Sequence, residues 1–171
     1  MPRQIIRTAN APSSPLYSQG VKAGSHVLVS GIVGIDPSTG SLAGDTIQDQ
    51  TRQALTNCEA ILQAAGASLD DVVEVGILLT SPGDFAGLNE EYARWFPSEP
   101  PTRYVAKLGV ELSGLLVSIR MTAFITCPPP GQGTWVRVAM TSPRLPALIY
   151  PHRYVGGFRA LVHDGDAACR P

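Results

Sequence analysis

Two arginines occupy positions where a charge must be accounted for. Arg103 follows two prolines in "PPTRYVAKLG", residues 100–109, at the entrance of a segment with strand character. Arg120 stands in the middle of the alternating run "LLVSIRMTAFI". The chain holds only two lysines, Lys22 and Lys107. A guanidinium differs from an ammonium in being planar and permanently charged, with parallel N–H donors that hold a carboxylate at two points. The residue type alone leaves alternatives open. A strand-entrance arginine is either a solvated surface group or an anion holder, and a mid-strand arginine is solvated, paired across a subunit interface, or lining a site.

Periodicity shows the elements that must position these side chains. "GSHVLVSGIVGID" alternates Val27 and Val29, then Ile32 and Ile35 after a Ser30–Gly31 break, and ends in the turn Asp36 to Gly40. This predicts a kinked strand. From Asp45 the spacing becomes helical, with Ile47, Ala54, Leu55, Cys58, Ile61, Leu62 and Ala65 on one stripe, Asp45 as the expected N-cap and Gly66 as the stop. "SLDD" at Ser68 to Asp71 resembles a capping box, and Val73, Val75, Ile77 and Leu79 then alternate as one face of a strand. Phe85, Leu88, Tyr92 and Phe96 recur at three and four residues, which predicts a second amphipathic helix ended by the prolines that follow. In the last strand Val117, Ile119, Met121, Ala123 and Ile125 share one face, while Ser118, Arg120 and Thr122 share the other. Alternating strands and helices in this order predict an α+β sandwich, its sheet mixed or mostly antiparallel, with both helices on one face. The opposite face is polar in its middle, and association with other subunits is the expected cover.

Composition narrows the function. With 171 residues, 44% apolar and 16% charged, the chain is long enough for one domain with a substantial core. A formal charge of −1 offers no general attraction to nucleic acid or an acidic membrane, so a small metabolite is the expected partner. No apolar run reaches the length of a membrane span and the N-terminus lacks a secretion signal, which leads to the expectation of a cytoplasmic protein. Cys58, Cys127 and Cys169 are dispersed and form no C-x-x-C pair, so neither a disulfide framework nor a metal site is expected, and Cys58 reads as packing. Charge divides the chain at about residue 127. Residues 1–127 carry eight Lys and Arg against twelve Asp and Glu. Residues 128–171 carry five arginines against Asp164 and Asp166 and hold seven of the fifteen prolines, which reads as a Pro/Gly/Arg-rich extension of the 1–127 body.

Within the body, "APSSPLYSQG", "VSG", "DPSTG", "QTRQALTNCEAIL", "AAGASLDDVV", "DFAGLNEEYARWF" and "PPTRYV" occur in order and with the spacing that resembles the RidA/YjgF family, from about Arg3 to Ile125. The resemblance implies a chorismate-mutase-like fold assembled as a homotrimer, with sites in the clefts between subunits. It also implies hydrolysis of 2-imino acids to 2-oxo acids and ammonia, without metal or organic cofactor. Arg103 matches the family's carboxylate-binding arginine and Tyr17 its tyrosine at the site entrance. Ser30 and Gly31 match the strand break whose backbone faces substrate. Phe85 and Asn89 match positions for an apolar wall and a polar contact. Ser118 stands where the deaminases of the family carry a water-activating glutamate, and Arg120, two residues on, is positioned for a second anionic contact. Pro15–Leu16, Ile32 and Val105 are further departures from the family pattern. A serine hydroxyl positions water but does not accept its proton at neutral pH. Three readings follow: a retuned imine deaminase, a relative with another reaction on an enamine or keto acid, and a trimer that binds small carboxylates without turnover.

Overall fold

The computed structural model describes residues 2–110 and 112–126, and the expected extension 128–171 lies outside them. Among the described residues six strands and two α-helices follow in the order β1 (Gln4–Ile6), β2 (Gly20–Ala23), β3 (His26–Val33), α1 (Ile47–Ala64), β4 (Val72–Leu79), α2 (Phe85–Trp95), β5 (Thr102–Lys107) and β6 (Val117–Phe124). They form one mixed sheet in the order β1-β2-β3-β6-β4-β5. Only β4 and β5, connected through α2, run parallel. The three- and four-residue strands β1 and β2 carry too few alternations to be read from sequence; their mutual pairing makes them visible. Among the described residues no helix is long and apolar enough to cross a membrane.

Both helices lie on one face of the sheet, and the apolar stripes seen in the sequence meet there. Leu55, Cys58, Ile61 and Leu62 of α1 pack with Val117, Ile119, Met121 and Ala123 of β6 and Val27 of β3, all at 0% exposure. Burying each larger side chain stabilises by roughly 1.5–3 kcal/mol, so this contact far outweighs the capping contribution at the end of α1. The N-cap itself is Thr46 rather than Asp45: its hydroxyl accepts from the Asp49 amide at 3.2 Å. The helix begins one residue later than expected because Thr46, three residues before Asp49, completes that exchange. Gly66 takes a φ of 77°, a left-handed position that suits a residue without Cβ.

Two expectations about apolar faces are corrected. Val73 is 50% exposed while Val72 is buried, because an irregularity between Val72 and Glu74 shifts the register and turns Val73 outward. Phe85 is 45% exposed although Leu88 and Tyr92 are buried, since it begins α2 beyond the edge of the core.

Polar residues on the buried sides of the helices fasten loops and one another. Gln50 donates to the carbonyls of Gly44 and Gly114 and accepts from the Leu116 amide. Asn57 donates to the carbonyls of Val33 and Ile35, which pins the exit of β3 to α1. Between the helices, the buried Glu91 carboxylate receives both the Nε and Nη2 of Arg52 at 3.0 Å, with Arg94 and Trp95 completing its shell. Burial raises its pKa, but the hydrogen bonds from Arg52 and Trp95 and the charges of Arg52 and Arg94 outweigh this, leaving it below its ordinary value. Glu91→Gln is expected to cost about 1–2 kcal/mol near neutral pH. Because the folded pKa is depressed, that stabilisation is fully present above the ordinary value of 4.5 and is lost as pH falls through the lower folded value. Urea denaturation of both proteins from about pH 7 to about pH 3 should show the gap closing in acid. A gap independent of pH would assign Glu91 a packing role without an ionic one.

Candidate functional site

Arg103 lies on the edge strand β5, in register with Val75 of β4, and Val75 is fully buried under the helices. The same alternation directs Arg103 to the helix side. There its guanidinium carbon sits 4.7 Å from the centroid of the Tyr92 ring of α2. Tyr92 is in turn stacked at a tilt on Phe96, with centroids 4.8 Å apart. This aromatic platform orients the cation from one side and leaves its other donors open. Arg103 has no carboxylate partner among the described residues, where the observed ion pairs involve Arg52, Arg94 and Arg120. Burial pushes the Tyr92 phenol up, partly offset by the Arg103 charge, so it stays neutral.

Helical spacing puts Asn89 on the same side of α2 as Phe85 and Tyr92, away from Glu91 and α1. Its Oδ1 is buried without a hydrogen-bond partner, and so is the Tyr92 hydroxyl. A buried acceptor left unpaired costs on the order of 1–3 kcal/mol. A permanently charged fork held on an aromatic ring, without an acid partner among the described residues, is the donor set expected for a small carboxylate. The connection β4–α2–β5 builds this cleft. Because the strands are parallel, α2 must return antiparallel to them, which brings Tyr92 level with Arg103 and Phe85 level with Val105.

A second group forms on the face opposite α1 and α2. The pairing of β3 with β6 shifts between Val29 and Ile32, so Ser30 and Gly31 bulge out of the ladder. The Ser30 amide donates to the Gln19 carbonyl at 3.0 Å, and its hydroxyl to the Ser18 carbonyl. That ties the bulge to the loop carrying Tyr17, which is 47% exposed. The loop is organised by buried Gln19, whose amide donates to the carbonyls of Thr8, Ala11 and Pro12. Ser118 of β6 lies beside the bulge: a Cβ on Gly31 would stand 3.0 Å from its hydroxyl oxygen. Tyr17, Ser30, Gly31 and Ser118 are therefore one contiguous group.

Arg120 belongs to neither group. Its Nη2 lies 3.7 Å from Glu74 and 3.3 Å from Thr122, which draws it along β6 away from Ser118. In the same row, the hydroxyl end of the Tyr104 ring passes over Gly76, where any Cβ would collide with it. Tyr104, Gly76 and the Tyr92 platform were not singled out in the sequence. For Tyr92 the available signal was a hydroxyl in an otherwise apolar stripe, and for Gly76 a glycine in mid-strand.

Arg103 and Ser118 thus project from opposite faces of the sheet. The neighbours of Ser118 in sequence, Val117 and Ile119, are fully buried on the helix side, which sends Ser118 to the uncovered one. A single copy cannot bring both to one ligand.

The family model described as endoribonuclease L-PSP matches residues 8–125, which span both groups. A RutC family protein of Pyrococcus horikoshii is 41% identical over 124 residues, covering 71% of this chain and 98% of that protein. The chain belongs to the RidA/YjgF family. Among other RidA/YjgF relatives, a human protein named 2-iminobutanoate/2-iminopropanoate deaminase is 35% identical over 122 residues, covering 71% of this chain and 89% of that one. The solved structure of E. coli TdcF with bound serine superposes with a TM-score of 0.68 at 34% identity, covering 72% of this chain and 99% of the other. The fold of a RidA/YjgF protein is thereby established for the body of the chain.

Arg103→Lys retains the charge and loses the planar fork. Calorimetric titration with a 2-oxo acid should show affinity reduced by about tenfold or more, equivalent to about 1.4 kcal/mol, with the thermal transition unchanged. Equal affinity would return Arg103 to the solvated surface class.

Proposed function

We propose that this RidA/YjgF protein hydrolyses 2-imino acids to 2-oxo acids and ammonia, in a site made by two copies of the chain. One copy supplies Arg103, Asn89 and Phe85, and the next supplies Ser118, Gly31, Ser30 and Tyr17. The observation that carries the reading is Arg103 itself, held on the Tyr92 ring without an acid partner among the described residues, beside the unpaired Asn89 acceptor. The projection of the two groups from opposite faces supports sharing between copies, and the family resemblance favours a homotrimer. The serine held by TdcF supports a ligand of amino-acid size with a carboxylate.

In this reading the substrate carboxylate lies on Arg103 and its imine carbon sits along α2 on the side of Asn89. Water adds to the imine carbon, and the resulting carbinolamine expels ammonia as its hydroxyl becomes the 2-oxo group. Positioning of the reactants supplies most of the acceleration. Ser118 orients the water, and its lack of basicity costs about 10²–10⁴ in rate relative to a carboxylate in the same place. An RNA substrate is not favoured, because the 1–127 body carries twelve acidic against eight basic side chains.

A second reading, 2-oxo acid binding without turnover, rests on that same lack of a base. Glu74, an acid of the uncovered face, is engaged by Arg120. Ammonia release from freshly generated 2-iminopropanoate separates the two. The protein is expected to run as a trimer by light scattering and to release ammonia slowly, and Ser118→Glu should raise the rate by about tenfold, or about 1.4 kcal/mol of barrier. A trimeric Ser118→Glu variant that binds 2-oxobutanoate and gains nothing would leave the binding reading in place.

A further inference from the structure

Phe85 is an aromatic side chain at the start of α2 that the core does not use, being 45% exposed. It forms one wall of a hollow of about 400 Å³ whose other lining residues are Leu79, Pro82, Val105, Ala106 and Lys107. Five of these six are apolar. The charged member, Lys107, is exposed on the edge strand, and among the described residues no acid lines the hollow. Val105 follows Arg103 by two residues, so both point to the helix side of β5 at a separation of roughly 6–7 Å. The Arg103 guanidinium leans toward Tyr92, at the opposite end of α2 from Phe85, and Asn89 lies between the two along the helix. Along α2 and β5 the order is therefore cation, amide, apolar hollow.

We infer that this cleft selects 2-imino and 2-oxo acids with a bulky apolar side chain, aromatic or branched, over three- and four-carbon acids. The inference rests on the proposed carboxylate role of Arg103. With the carboxylate on the guanidinium and C2 on the side of Asn89, the apolar surface open to the side chain on this copy is that of Val105 and Phe85. A methyl group ends two bonds of about 1.5 Å from the carboxyl carbon and stops short of the hollow. A benzyl or isobutyl group reaches it. The hollow has the size of a metabolite subsite, and its walls are apolar apart from the exposed Lys107. Val105 is the departure from the family pattern that sits between Arg103 and the hollow, and a branched apolar residue there extends the same surface.

Calorimetry with phenylpyruvate, 4-methyl-2-oxopentanoate and pyruvate tests the hollow independently of turnover. The two larger acids should bind at least about tenfold more tightly than pyruvate, since each methylene taken into such a pocket is worth a factor of that order. Val105→Phe, which fills the hollow, should bring the ratio close to one, and Phe85→Ala should weaken phenylpyruvate more than pyruvate. Equal affinities, or no binding of any of the three, overturn the inference. In parallel, ammonia release is measured with the matching imines generated in place by an amino acid oxidase. A binding preference without ammonia release keeps the hollow and removes the deaminase reading. Equal ammonia release from large and small imines with equal affinities keeps the deaminase reading and removes the hollow.

Discussion

Strict alternation along β6 is the constraint on which the rest of this molecule depends. The strand lies between β3 and β4 in the middle of the sheet, and its four inward side chains are fully buried against α1 and its neighbours. Sliding the strand by one residue would place Ser118, Arg120 and Thr122 in the apolar core and Val117 and Ile119 in water. The cost of burying an unpaired guanidinium there makes that register inaccessible. Once β6 is held, β3 and β4 are placed on either side of it, and the identity of the two faces is decided for the whole sheet.

The site inherits its division from this. One group of candidate residues hangs on the helix side at the β5 edge, where a parallel crossover aligns α2 with the strand. The other grows on the uncovered side, where a bulge at Ser30–Gly31 opens room for Ser118. The bulge is maintained from beneath by Asn57, which holds the carbonyls at the end of β3, and from above by Gln19 and Ser18. Neither group alone contains both a carboxylate holder and a water-orienting hydroxyl. Association is thus a chemical requirement of the proposed reaction as well as a means of covering a half-apolar sheet face on which Leu28, Tyr104 and Phe124 are exposed.

Charge is used differently at Arg103 and at the ion-paired arginines. Arg52 and Arg94 serve Glu91 and brace the helices, and Arg120 serves Glu74 and Thr122 on the uncovered face. Arg103 is held by a ring instead of an acid. An ion pair would neutralise it, whereas the face of Tyr92 orients the guanidinium and leaves its charge uncancelled, as the proposed carboxylate role requires. That contrast separates Arg103 from the other arginines more sharply than its position in the sequence does.

The helical and strand stripes of α1, α2 and β6, the α+β class and the two-helix layer were legible in the sequence, because apolar periodicity is a local property that burial reads directly. So was the Ser30–Gly31 break, since it interrupts a pattern, whereas Arg103 was singled out by its residue type and by the family resemblance. Thr46 as the cap, the outward turn of Val73 and the exposure of Phe85 were not, because each depends on where an element begins or on a register set by a neighbouring strand. The engagement of Arg120 by Glu74 and the Tyr92 platform under Arg103 join residues remote in sequence. What only the tertiary structure decided is that Arg103 and Ser118, fifteen residues apart along the chain, face opposite sides of one sheet. Alternation within each strand assigns relative sides, but the side on which β5 presents Arg103 is set by its parallel pairing with β4 and by the helix packed across both.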